Sequence, residues 1–178
     1  QAFATETDVT LAVNGMYTGI RASGSYYSGT WNIIADVLAD NVTLHTAGRR
    51  SLQNPYYEWR YTGESTYGLF TGGYTIVRRA NAILENIGTI QNESFKNDAR
   101  GQALALRAMT YFDMSRVYSK TYLNAGTSDS TVAYVTTTDP TIMPAKEAVR
   151  PFYDKVIADL VEAEGLVNVN NGVGKFNK

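Results

Sequence analysis

The run Gly101-Gln102-Ala103-Leu104-Ala105-Leu106-Arg107-Ala108-Met109-Thr110-Tyr111-Phe112-Asp113-Met114-Ser115-Arg116-Val117-Tyr118 lies in a stretch rich in helix formers. Ala99, Ala103, Leu106, Met109 and Val117 recur in it at helical spacing, and Ser94 is a suitable N-cap, so a helix is predicted over residues 94–118. Working outward, residues 67–87 place Phe70, Tyr74, Val77, Asn81, Leu84 and Ile87 along one helical face. Gly72 and Gly73 weaken that helix locally, and Gly88 is its expected stop. Near the start of the chain, Thr5-Glu6-Thr7-Asp8 forms a variant capping box, followed by Val9, Ala12, Val13, Met16, Tyr17 and Ile20 at three- and four-residue steps. A shorter pattern, Trp31, Ile34, Ala35 and Leu38, fits two or three turns. Proline is tolerated only in a first turn, so Pro151 sets the start of the last helix near Ala148, continuing through Phe152, Val156, Ile157, Leu160 and Ala163.

Between these helices the composition changes. Residues 40–59 show little periodicity and read as one long loop holding Asp40, Asn41, His45, Arg49, Arg50, Tyr56, Tyr57 and Trp59. Residues 121–144 are rich in Thr, Ser, Gly, Asp and Pro, with a β-prone piece at 131–136, and are expected to be an extended surface loop. The tail, 168–178, is polar and glycine-bearing and should fray. No alternation of strand and helix suggests a parallel sheet. The expected architecture is therefore mostly all-α: antiparallel helix pairs with long loops, no central sheet, and a single domain over residues 1–178.

Composition excludes several function classes. Sixteen basic and seventeen acidic residues leave a net charge of -1, which is not the footprint of a nucleic-acid binder. The absence of cysteine removes thiolate metal sites and cysteine nucleophiles. His45 is the single histidine, stands without an acidic cluster, and has no nucleophile elbow to serve, so neither a metal site nor a catalytic triad is expected. Asp36 and Asp40, four residues apart, are the only candidates for a glycosidase pair; the plainer reading is a solvated face and a helix end. No glycine-rich phosphate loop follows a strand, and no cofactor is implied. Thirteen tyrosines, two tryptophans and six phenylalanines remain to be explained. In the loops, Tyr26, Tyr27, Tyr56, Tyr57 and Trp59 lie near Asp40, Asn41, His45, Arg49 and Arg50. Aromatic faces stack on sugar C–H faces and planar polar groups hold paired hydroxyls, so this set suits glycan recognition, and it suits equally well the packing of loops onto helices.

The run 101–118 resembles the signature Gly-Glu-Ala-x-x-Leu-Arg-Ala-x-x-Tyr-Phe-x-Leu-x-Arg-x-Tyr-Gly of the SusD/RagB family. Val13-Asn14-Gly15-Met16-Tyr17, Ala80-Asn81 with Ile83-Leu84-Glu85, and Tyr153, Ile157, Asp159 and Leu160 agree in order and spacing. Gln102 stands where the signature has glutamate and Ser119 where it has glycine. The resemblance implies a tetratricopeptide-like scaffold forming the N-terminal part of a longer protein. It further implies a surface-exposed outer-membrane lipoprotein that binds oligosaccharide or polysaccharide without cleaving it and passes it to a SusC-like TonB-dependent transporter. Its lipid anchor would lie upstream of Gln1. The alternative is a module docking on the transporter, with sugar recognition elsewhere in the full-length protein. Arg107 and Arg116 are expected to brace neighbouring elements, and Asn81 to be a buried amide bonded to backbone.

Overall fold

The computed structural model describes residues 3–21, 26–43, 54–60, 62 and 68–178. The elements in chain order are α1 (Glu6–Ile20), α2 (Thr30–Leu38), α3 (Asn54–Tyr57), α4 (Leu69–Asn86) with a 3₁₀ turn at Ile87–Thr89, α5 (Glu93–Tyr118) and α6 (Val149–Leu166). There is no sheet among the described residues; an isolated antiparallel bridge joins Ser130 and Ala148.

Local chemistry sets the helix starts. The Asp8 N–H donates to Thr5 Oγ1 at 3.2 Å and the Thr5 N–H to Asp8 Oδ2 at 2.9 Å, the reciprocal capping box expected of this tetrapeptide. The cap of α5 is Asn92 rather than Ser94: its side chain accepts the Phe95 N–H at 3.3 Å, leaving Ser94 inside the first turn. Ala148 is the N-cap residue of α6, and Pro151 falls in the first turn where its missing N–H costs nothing.

Antiparallel pairing follows from which residues meet. Along α4 and α5, Gly73 lies against Met114 and Asn81 against Arg107. Along α5 and α6, Ser115 reaches Tyr153, Arg107 reaches Asp159, and Arg100 reaches Glu162. Along α1 and α4, the Gly15 carbonyl accepts from Arg79 at 2.6 Å and the Phe3 carbonyl from Thr89 at 3.0 Å. Rising numbers on one helix meet falling numbers on the other, and α5 is the central rod between α4 and α6.

That central position explains why α5 does not bury a single stripe. Every residue from 101 to 108 is buried, the pattern of a helix enclosed on all sides. Gly101, Ala103, Ala105 and Ala108 let neighbours approach, while Gln102 and Arg107 are buried with partners. The inward face of α4 also differs from the expected one. Leu69, Gly73, Ile76, Val77, Ala80, Asn81 and Ile83 are buried, whereas Phe70 stays 42% exposed, because α1 and α5 clasp α4 from two directions. On α6 the buried line is Val149, Phe152, Val156, Asp159 and Ala163. Ile157 and Leu160, expected inside, face outward, since α5 and residues 131–135 cover the opposite side of this helix.

Gly73 does more than weaken its helix. A Cβ there would lie 2.9 Å from Met114 Cγ, whereas a Cβ on Gly15 would meet nothing within 4 Å. Gly73→Ala is expected to cost about 1–3 kcal/mol through overpacking. Gly15→Ala should stabilise by about 0.5–1 kcal/mol through helix propensity. Urea midpoints of the two variants should move in opposite directions; equal shifts would mean that Met114 does not occupy this contact.

Residues 131–135, expected at the surface, belong to the core, and the tail is fastened to it through Phe176. In the 131–135 stretch, alternation sends Val132 and Tyr134 inward, where Tyr134 stacks on Tyr111 at 4.3 Å between ring centroids. The Tyr111 hydroxyl donates to the Val135 carbonyl at 2.8 Å and accepts its N–H at 2.7 Å. Asn81 Nδ2 donates to the same carbonyl at 3.0 Å, and the Tyr74 hydroxyl to the Ala133 carbonyl at 2.9 Å. Aromatic hydroxyls thus do for this strand what a neighbouring strand would do in a sheet. The tail does not fray either. The Phe176 N–H donates to Tyr17 Oη at 3.0 Å, and Gln102 Nε2 donates to the Phe176 carbonyl at 2.7 Å. The neutral amide of Gln102 supplies both a donor and an acceptor here, and a carboxylate would supply only acceptors. Burial around this contact pushes the Tyr17 pKa up to about 12.

Candidate functional site

The expected glycan-binding residues lie in the chain between the end of α2 and the start of α4. α2 ends at Leu38, and Asp40 takes a left-handed conformation, φ 56°. The Asn41 N–H then donates to the Asp36 carbonyl at 2.9 Å, and its side chain to Asp36 Oδ1 at 3.1 Å. Asp36, Asp40 and Asn41 are all exposed, so this acidic pair closes a helix and carries no sign of a desolvated catalytic carboxyl. His45, Arg49 and Arg50 lie outside the described residues.

The second half of that segment is not wholly irregular. Asn54-Pro55-Tyr56-Tyr57 forms the single turn α3, which lies beside α2. The Trp59 N–H donates to the Tyr56 carbonyl at 3.2 Å and the Arg60 N–H to the Pro55 carbonyl at 2.7 Å. Trp59 has φ 55°, which turns the chain outward and leaves its side chain among the exposed large hydrophobics, at 62%. Tyr56 and Tyr57 are half-buried. The structure thus sets α3, with Tyr56 and Tyr57, beside α2, while Asp40 and Asn41 follow the end of α2 and Trp59 follows the end of α3.

Tyr26 and Tyr27 take the other role open to loop aromatics. Tyr26 is buried, stacks on Trp31 at 6.1 Å, and meets Tyr27 edge-on at 4.9 Å. The Tyr27 hydroxyl donates to Asp113 Oδ2. Burial raises the Asp113 pKa, with the Tyr27 hydrogen bond and the Arg116 guanidinium pulling it back. These groups fasten the start of α2 to α5.

A groove of about 410 Å³ between α2 and α5 was not foreseen; Trp31, Ile34, Ala35, Leu38, Arg116 and Val117 line it. The Arg116 guanidinium sits 5.6 Å from the Trp31 ring centroid and 5.4 Å from that of Phe112. One signal pointed to it: Arg107 and Arg116 are nine residues apart, about two and a half turns, so they emerge on opposite sides of α5. Arg107 goes to α6 and Arg116 to α2, and both brace, as expected. Asn81 is likewise the buried amide expected, accepting from Arg107 Nη1 at 2.9 Å. Among the described residues no group of three or more acidic or histidine side chains is placed to hold a metal ion. None of their helices is long and apolar enough to cross a membrane.

Comparison with known proteins agrees with this geometry. A SusD-like family model described as "Starch-binding associating with outer membrane" matches residues 1–175. The SusD-like protein P38 of Formosa agariphila is 33% identical over 105 residues, which span 59% of this chain and 19% of that protein. A solved Bacteroides vulgatus structure is 26% identical with a TM-score of 0.83, covering 99% of this chain and 40% of its own. A solved laminarin-binding SusD-like protein, 18% identical with a TM-score of 0.71, shares the fold over 96% of this chain and 37% of its own. The chain thus spans well under half the length of these relatives. Helical pairing with no sheet among the described residues, the signature carried by α5, and a family match over nearly every residue lead to one conclusion: this chain belongs to the SusD-like family, whose model is described as starch-binding and associating with the outer membrane.

Proposed function

We propose that this chain is the N-terminal, tetratricopeptide-like part of a longer surface-exposed lipoprotein that captures oligosaccharides for a SusC-like TonB-dependent transporter. Asp40, Asn41, Tyr56, Tyr57 and Trp59 form one wall of the glycan site, with His45, Arg49 and Arg50 supplied by the same segment. The observation that carries this reading is Trp59, a large aromatic side chain held 62% exposed at the end of α3. Exposing an indole forgoes its burial, and its ring is the surface a pyranose C–H face stacks on. The family's starch-binding description and the laminarin-binding relative support a glucan as the first ligand to try.

Trp59→Ala in the full-length protein is expected to weaken binding of a maltooligosaccharide or laminarioligosaccharide at least about fivefold in isothermal titration, with little effect on stability, taking the about 1–3 kcal/mol that one aromatic contributes when a nucleobase stacks on it as the scale. A docking role on the transporter is favoured by a different observation: Ile157, Leu160 and Val161 form an exposed apolar stripe on α6 at helical spacing. Unchanged sugar binding in Trp59→Ala, together with loss of transporter co-purification in Ile157→Asp, would favour docking over capture.

A further inference from the structure

A second groove, of about 490 Å³, lies between the start of α4, the end of α5 and residues 131–146, and shares no lining residue with α2 or α3. Its size is within the roughly 300–1,000 Å³ typical of small-ligand pockets. Three features of its lining are unusual together.

The first is an aromatic corner. Phe70 meets Tyr74 at 5.0 Å and 66°, and Tyr118 at 5.5 Å and 87°, so the three rings stand as adjoining walls while Phe70 stays 42% exposed. The second is an unsatisfied hydroxyl. Thr131 is 2% exposed and its Oγ1 has no hydrogen-bond partner among the described residues. A buried hydroxyl without a partner is costly, and a ligand that brings one removes that cost. The third is charge. The carboxylates flanking this segment already have partners: Asp129 pairs with Lys120 at 3.0 Å and Glu147 with Lys155 at 2.5 Å. Lys146 is the charged residue of the groove lining, and no ion pair engages it among the described residues.

We infer that this groove binds a saccharide unit bearing an anionic substituent, a carboxylate or a sulfate. The sugar's C–H face lies on the aromatic corner, one of its hydroxyls pairs with Thr131 Oγ1, and its anion meets the Lys146 ammonium. The inference rests on the reading of the chain as a glycan binder and adds to it a second subsite with its own substrate class.

Isothermal titration of the full-length protein tests it with three probes: a neutral maltooligosaccharide, an oligogalacturonate and a sulfated galactan tetrasaccharide. At least one anionic probe should bind, more weakly as salt is raised. Lys146→Gln should weaken that probe about five- to tenfold while leaving the neutral probe unchanged, and Trp59→Ala should leave the anionic probe within about twofold. Thr131→Val provides a variant whose fold is safe, since the hydroxyl removed has no partner: its melting temperature should hold or rise while anionic binding weakens. The two anionic probes distinguish carboxylate from sulfate as the natural group. Wild type that binds neither anionic probe, or Lys146→Gln and Thr131→Val that bind them as wild type does, overturns the inference. Retained binding of the neutral probe in Lys146→Gln and Thr131→Val, with its loss in Trp59→Ala, leaves the Trp59 reading standing whichever way the anionic probes behave.

Discussion

Asp159→Ala is expected to destabilise the protein by about 3–5 kcal/mol, the cost of leaving a buried charge without its partner. Arg107 Nε donates to Asp159 Oδ2 at 2.7 Å and Nη2 to Oδ1 at 2.8 Å, a planar two-bond fork. The third nitrogen, Nη1, is held by Asn81, and the Tyr134 hydroxyl donates to Asp159 Oδ2 at 2.6 Å. Arg107 is 7% and Asp159 8% exposed, so water cannot replace a missing carboxylate. Burial works against the charge of Arg107, yet the hydrogen bonds and charge of Asp159 outweigh it and leave the arginine pKa raised. The loss should therefore appear as a reduced urea midpoint. Arg107→Met combined with Asp159→Leu should recover a large part of it, because removing both charges also removes both desolvation penalties. A single variant within about 1 kcal/mol of wild type would mean that this pair is hydrated in solution.

Phe152→Ala is expected to cost a similar amount, about 3–5 kcal/mol, for a different reason. Phe152 is 0% exposed and stands edge-on to both Tyr111 and Tyr134, at 5.5 Å from each ring. Deleting it opens a cavity at the point where α5, α6 and the 131–135 stretch meet, and the rigid rods cannot close over it. The same loss should be felt locally: the Val135 N–H, held by the Tyr111 hydroxyl, should exchange with solvent faster than amides inside α1. Phe70→Ala, which removes a ring already 42% exposed, should cost much less. If the two phenylalanine variants melt together, the 131–135 stretch is not part of the cooperative core.

Helix identity was legible in the chain because its causes are local. The capping box at Thr5 and Asp8, the first-turn proline at 151 and the three-four spacing in α1, α2 and α5 act over a few residues each, and each produced the element expected. The boundary at Asn92 moved by two residues because two capping side chains stood close together and only one could serve. The small residues Ala80, Ala103 and Ala108 are all buried, which lets neighbouring elements pack closely there. The signature residues declared themselves, Arg107 as a brace and Asn81 as a buried amide bonded to backbone, though their shared partner network with Asp159 and Tyr134 did not, since those residues come from two later segments.

The candidate site was legible only in part. Among the loop aromatics, composition could not separate Tyr26, which stacks inside the core, from Trp59, which is turned outward by a left-handed residue. Thr131 and Lys146 carried no signal at all, because an unsatisfied hydroxyl and an unpaired ammonium become recognisable only when their surroundings are known.

What the amino-acid order determined by itself was the five longer helices, the starts of α1 and α6, the absence of a sheet among the described residues and the family signature on α5. What only the tertiary structure decided was which side of each helix is hidden, that residues 131–135 and Phe176 complete the core, and that Phe70, Ile157 and Leu160 stay outside. Periodicity and capping are properties of a short stretch of chain, whereas burial is conferred by whatever arrives from elsewhere, and a helix packed between two helices, like α4, or against one helix and residues 131–135, like α6, shows the same pattern of apolar residues until those partners are in place.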